Sequence, residues 1–166
     1  MPGAPPLSKS LLPALLPGLL LLAGCAGKTE EAAVCPSSAI IYGLDRMSAT
    51  DKEGRPITAS IENIDGLCQL QGETLDLDIS FDIVVTAPEA TPLDYFVVLA
   101  DPAGNVIEKA SFTTAVPAGT GGGKVRLREQ LSQQVEDVAP GTSADYSILI
   151  GVDLPPETAL EQRRAL

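Results

Sequence analysis

The stretch Leu75-Asp76-Leu77-Asp78-Ile79-Ser80-Phe81-Asp82-Ile83-Val84-Val85-Thr86 alternates apolar and polar side chains along most of its length. Leu75, Leu77, Ile79, Phe81, Ile83 and Val85 point one way, and Asp76, Asp78, Ser80 and Asp82 point the other. A period of two describes an extended strand with one face on a core and one in water. This strand sets the fold class, because a half-wet strand needs a sheet around it and a second apolar layer beneath it.

Working outward, the neighbouring segments read as more strands separated by turn chemistry. Upstream, Ile57, Ala59 and Ile61 share a face within residues 57–64, and Asp65-Gly66 is a two-residue hairpin signal. Residues 67–71 are then expected to return, carrying Cys68. Residues 38–44, around Ile40, Ile41 and Tyr42, form a first strand. The charged residues 45–56 between them read as a loop, with Asp51, Gly54 and Pro56 as turn formers. Downstream, residues 93–100 are apolar on both faces, with Phe96 and Val98 against Tyr95, Val97 and Leu99, as a central covered strand requires. Asp101-Pro102-Ala103-Gly104-Asn105 turns the chain, and residues 106–116 come back.

Residues 117–123 end in Gly121-Gly122-Gly123, a glycine-rich loop without the Lys-Ser/Thr that a phosphate-cradling P-loop requires. Residues 124–135 fit two periods. Val125 and Leu127 alternate with Arg126 and Arg128 as in a strand, whereas Leu127, Leu131, Val135 and Val138 fit a helix. The start reads as strand and the end stays open. Residues 144–154 form the last strand, with Tyr146, Ile148, Ile150, Val152 and Leu154 on one face. Pro155-Pro156 stops it, and a short helix over 157–165 follows.

The stretch Val138-Ala139-Pro140-Gly141-Thr142-Ser143-Ala144-Asp145-Tyr146-Ser147-Ile148 resembles the turn and tyrosine corner of fibronectin type III and Ig-like domains. That resemblance implies that Pro140 and Gly141 shape the turn and that Tyr146 is the corner. The fold expected is an all-β, antiparallel Ig-like or fibronectin type III-like sandwich of about 7–8 strands with a short C-terminal helix. In the fibronectin pattern another strand follows the corner strand. Only twelve residues follow the last strand here, so a rearranged topology is expected.

At the other end, Leu22-Ala23-Gly24-Cys25 closes an apolar run that begins at Leu11. It resembles the lipobox of bacterial lipoproteins. The resemblance implies cleavage before Cys25, a diacylglycerol on the Cys25 thiol and an acylated new amino terminus. The run is shorter than the roughly 20 apolar residues that span a bilayer and carries Pro13, Pro17 and Gly18, as befits an export leader. Residues 1–24 are thus expected as signal peptide, 25–34 as a lipid-anchored flexible tether and 35–166 as the sandwich domain. Each buried methylene of the lipid contributes roughly 0.8 kcal/mol, so two or more chains hold firmly. Ala26 stands where an inner-membrane lipoprotein often has Asp, which implies the outer membrane, facing the periplasm.

An early Cys, a second Cys before an Asp-rich strand, the Tyr95-Phe96-Val97 strand and a closing Glu161-Gln162-Arg163-Arg164 are also similar to a family of small bacterial envelope lipoproteins. That likeness implies no particular activity.

With Cys25 committed to lipid, Cys35 and Cys68 remain. Export delivers them to a compartment that oxidises thiols, and a Cys35–Cys68 disulfide is expected. The closed loop of about 34 residues is worth roughly 3–4 kcal/mol by loop entropy.

The chain has 22 acidic and 11 basic residues, no His and no Trp. Loss of Lys9 with the leader would take the net charge from −11 to −12. Such a chain repels nucleic acid. Missing His removes Ser-His and Cys-His nucleophile activation and the commonest zinc ligand. Asp76, Asp78 and Asp82 read as a solvated stripe paired in part with Arg126 and Arg128, because strand residues two apart spread along about 6–7 Å and cannot converge on calcium. Asp51, Glu53 and Asp65 form a weaker loop candidate.

No catalytic residue, metal ligand or cofactor is therefore assigned. The expectation is a lipid-anchored, non-enzymatic domain that touches an envelope protein partner through a sheet edge or loop cluster. Its rival is a ligand-binding or hydrolytic periplasmic domain with a carboxylate site.

Overall fold

The computed structural model describes residues 34 to 165. Cys25, the leader and nearly all of the tether lie outside these residues. Eight strands follow in order: β1 (Ser37–Ile40), β2 (Arg46–Thr50), β3 (Pro56–Gln71), β4 (Thr74–Thr86), β5 (Thr91–Ala100), β6 (Val106–Val116), β7 (Lys124–Val135) and β8 (Ser147–Val152). One helix, α1 (Pro156–Arg164), ends the domain. The strands form two four-stranded sheets, β1-β8-β5-β6 and β2-β3-β4-β7. Every strand pair is antiparallel except β1 with β8. The fold is an all-β sandwich.

The alternating stretch is β4, and its odd-numbered residues are the centre of the core. Leu75, Leu77, Ile79, Phe81, Ile83 and Val85 are all buried, and they share one cluster with Leu93, Tyr95, Leu99, Ile148, Ile150 and Val152 of the opposite sheet. Burying such a side chain stabilises by about 1.5–3 kcal/mol. One aromatic contact bridges the layers and a second runs within one sheet. The Phe81 and Tyr95 rings meet edge to face at 5.4 Å, and Tyr95 stacks on Phe112 at 5.2 Å. β5 is central, as its two apolar faces require. Its outer residues Phe96 and Val98 pack with Leu44 in a second cluster, covered by Leu149, Leu154 and Ala159 of α1.

The sequence reading needs correction in two places. Asp65-Gly66 makes no hairpin. β3 runs unbroken through it for 16 residues, with Asp65 opposite Ser80 and Gly66 opposite Ile79. A bulge between Glu62 and Asp65, with Asn63 at φ 53°, shifts the inward positions from Ile57, Ala59 and Ile61 to Ile64, Gly66, Cys68 and Leu70. The actual turn lies at Gly72, at φ 68°. Gly66 is small because β1 crosses it: a methyl placed there would sit 3.0 Å from Ser38 Oγ.

The second correction concerns the charged loop, which contains β2. Arg46 to Thr50 pair with β3, and only residues 51–55 turn. The first strand is correspondingly shorter, ending at Ile40. Residues 124–135, read as strand at the start and left open at the end, are strand throughout, each paired with β4 in unbroken register. Propensity favoured helix late in this segment, but the neighbouring strand supplied a better partner for its backbone.

The topology around the last strand, β8, includes the one parallel pair of the described residues, with β1. The strand inserts between β1 and β5.

Candidate functional site

The two long sides of the sandwich are finished differently. One side is sealed. A disulfide joins Cys35, just before β1, to Cys68 on β3, with their Cα atoms 5.4 Å apart. Ser143 Oγ donates to the Val34 carbonyl at 2.8 Å, and β1 lies against Gly66.

The other side is open. β6 and β7 each end their sheet, and neither outer edge pairs with another strand among the described residues. Between them lies a cleft of about 200 Å³ lined chiefly by Leu77, Ile79, Leu99, Ala110, Phe112 and Leu131.

Two polar clasps span this seam. Gln133 Nε2 donates to Glu108 Oε2 at 2.6 Å, and Thr114 Oγ1 donates to Glu129 Oε1 at 2.9 Å. Tyr95, reaching across from β5, also hydrogen-bonds Glu129. Burial, helped by the Glu129 charge and this bond, pushes the Tyr95 phenol up to about 12. Glu108 and Glu129 are inward-facing carboxylates on edge strands, a common way of keeping neighbouring edges from closing on each other. Here their partners are each other's strands, so the seam is held at a set width while the backbone edges face outward.

The outer face of the β2-β3-β4-β7 sheet carries a charge gradient along β7. At its start, Arg126 and Arg128 hold Asp82. Arg126 Nη1 lies 2.7 Å and Arg128 Nη1 3.2 Å from its carboxylate, and Asn63 Nδ2 donates to it at 2.7 Å. The Asn63 bond and these guanidiniums keep the Asp82 carboxyl below its ordinary range despite partial desolvation. Arg126 also reaches Glu62 at 3.1 Å. At the far end, Asp76 and Asp78 are satisfied by neutral donors. Gln134 Nε2 gives Asp76 a bond of 2.7 Å and Ser132 Oγ gives Asp78 one of 2.6 Å. Among the described residues neither aspartate has an ion-pair partner, and neither does Lys124 at the opposite end. The stripe expected to be solvated is so at Asp76 and Asp78, whereas Asp82 is buried under its partners Arg126, Arg128 and Asn63.

The remaining sequence candidates fall elsewhere. Asp51 organises the 51–55 turn, accepting from the Glu53 and Arg55 amides at 3.0 and 2.8 Å and from the Arg55 guanidinium. Asp65 sits in β3, so the trio with Glu53 does not converge. Among the described residues no cluster of three or more His, Cys, Asp or Glu could hold a metal ion. Gly141 turns at φ 81° after Pro140, beside a Thr142 amide bond to the Ala139 carbonyl. Tyr146 leads into β8 with its ring against the main core.

The clasp residues Glu108, Thr114, Glu129 and Gln133 were not singled out by the sequence. A signal existed: Glu129 and Gln133 break the inward series Val125, Leu127, Leu131, Val135 at alternate positions. Polar residues on the core side of a strand mark an edge.

No protein-family model matches this chain, and no curated protein does. Among solved structures it is similar to a DUF1425 family member from Shewanella sp. pv-4, at 12% identity and a TM-score of 0.39. The likeness covers 70% of this chain and 96% of that one.

Proposed function

We propose that this protein is a non-catalytic contact module of the bacterial cell envelope, moored by acyl chains on Cys25 and facing the periplasm, most simply at the outer membrane. The observation that supports this reading is the open seam. Two adjacent sheet edges are bare, and the polar groups of the cleft between them are engaged with one another rather than aimed at a shared point. A bare edge offers a partner main-chain hydrogen bonds, and the adjoining apolar pocket offers a place for its side chains. The Cys35–Cys68 disulfide agrees with an oxidising compartment. The acidic balance agrees with a protein rather than a nucleic-acid partner. The rival, a ligand-binding or hydrolytic domain, has the cleft in its favour. Hydrolysis would need Glu108 or Glu129 released from its clasp.

The test is photo-crosslinking in intact cells, with a photoreactive residue at Gln130 on β7 or Ser111 on β6, and at Ser48 on β2 as control. Adducts from β7 or β6 and none from β2 are expected. Equal labelling from all three, or none, removes the seam as the contact surface. For the anchor, Cys25→Ala is expected to release the protein from the membrane fraction; an unchanged membrane fraction refutes it.

A further inference from the structure

The four sheet edges of this sandwich are not equivalent. β1 and β2 are short, at 4 and 5 residues, and short edges template little pairing. β6 is interrupted by a register shift opposite Leu99 and Ala100. β7 is different. It runs 12 residues with no Pro, no Gly and no bulge, in unbroken register with β4. A long, regular, unpaired edge is a template for another strand.

The charges along it indicate which strand. Lys124, Arg126 and Arg128 occupy the outward positions at its start, and Gln130, Ser132 and Gln134 those at its end, with Asp78 and Asp76 directly behind Ser132 and Gln134. The edge is therefore positive at one end, where Asp82 and Glu62 engage Arg126 and Arg128 and Glu62 feels Lys124, and negative at the other, where Asp76 and Asp78 have neutral donors. A parallel copy would set the three cations against themselves. An antiparallel copy brings opposite signs together.

We infer that β7 pairs antiparallel with β7 of a second copy, about a two-fold axis near Gln130, joining two sheets into one of eight strands. This rests on the seam being a contact surface and names its partner. With the axis at Gln130, Arg128 faces the second copy's Ser132 and Arg126 faces its Gln134. Lys124 faces its Glu136, which is exposed just past the strand. Asp78 and Asp76 come next in the Arg128 and Arg126 rows, two strand spacings or about 10 Å away, a gap that the facing side chains span together. The interface is isologous, so each favourable contact occurs twice. The same two-fold sets the two clefts face to face and shields the half-exposed Phe112, Ala110 and Leu131 from water.

The experiment uses the full chain. Gln130→Cys places a thiol on the proposed axis, and Ser48→Cys places one on the opposite edge of the same sheet. Expressed in bacterial cells and run without reductant, Gln130→Cys is expected at twice the monomer mass and Ser48→Cys is not. Sedimentation equilibrium of the purified full chain in detergent then follows Lys124→Glu, Glu136→Lys and the double variant. Neither residue lies in the core or makes an ion-pair contact within the chain, and Lys124 acts on Glu62 only through its charge. Each single reversal is expected to raise the dimer dissociation constant about ten-fold, because two symmetry-related exposed pairs turn repulsive. The double variant is expected to return to within about two-fold of the original.

A monomer at every concentration, or a double variant no better than the singles, overturns the second copy as partner. If the photoreactive residue at Gln130 still captures other proteins under those conditions, seam contact stands and only the identity of the partner falls. If it captures nothing, both readings fall.

Discussion

Asp82 is the point where the outer face of the sheet is pinned. It is the most buried charged residue among those described, at 8% exposure, and it accepts from Asn63, Arg126 and Arg128 at once. Its folded pKa is depressed. Its stabilisation is therefore complete above the unfolded value of about 4 and is lost as pH falls through the lower folded value. Asp82→Asn should melt below the parent at neutral pH, with the gap narrowing below about pH 4. Thermal melts across that range check this, and a gap independent of pH would mean that the charge contributes nothing. The sequence placed Asp82 on the outer face and anticipated Arg126 and Arg128 beside it. It did not single out Asn63, whose reach to Asp82 depends on a left-handed backbone inside a bulge.

At the scale of the element, β3 shows how one residue can carry two meanings. Asp65-Gly66 has the composition of a tight turn, yet its glycine faces β1 in mid-strand. If close approach is the reason for it, a larger side chain should harm the fold without touching any turn. Gly66→Val is expected to cost about 1–3 kcal/mol by overpacking against Ser38, measured by urea unfolding. A hairpin glycine at φ > 0 would penalise Gly66→Ala about as much as Gly66→Val. The structure instead predicts a graded loss, because Gly66 has no positive φ. β7 carries the parallel lesson. Its leucines satisfy a helical spacing as well as a strand spacing, and only the partner strand β4 selects between them.

The whole molecule is closed along one side and open along the other, and the disulfide belongs to the closed side. Cys35→Ser with Cys68→Ser should lower stability by about 3–4 kcal/mol, since the bond closes a loop of 34 residues. Denaturant unfolding of the variant against the parent, without reductant, measures this. The structure makes a further demand on the result. The bond fastens β1 to β3, whereas the clasps Glu108–Gln133 and Thr114–Glu129 lie across the molecule. Contact at β7 should therefore survive loss of the disulfide as long as the domain remains folded, and dimer formation by the variant can be read in the same sedimentation experiment.

Composition, period and cysteine count were enough for the all-β class, the inward faces of β4 and β8, the covered central place of β5, the terminal helix and the Cys35–Cys68 pair. Those features rest on local alternation and on which residues remain once others are committed, and both are written along the chain. The bulge at Asn63, the pairing of β2, the strand state of late β7, the clasps and the bare edges were decided only in three dimensions. Each depends on which distant strand lies alongside. A strand's backbone bonds and the space beside its side chains belong to its neighbour as much as to itself.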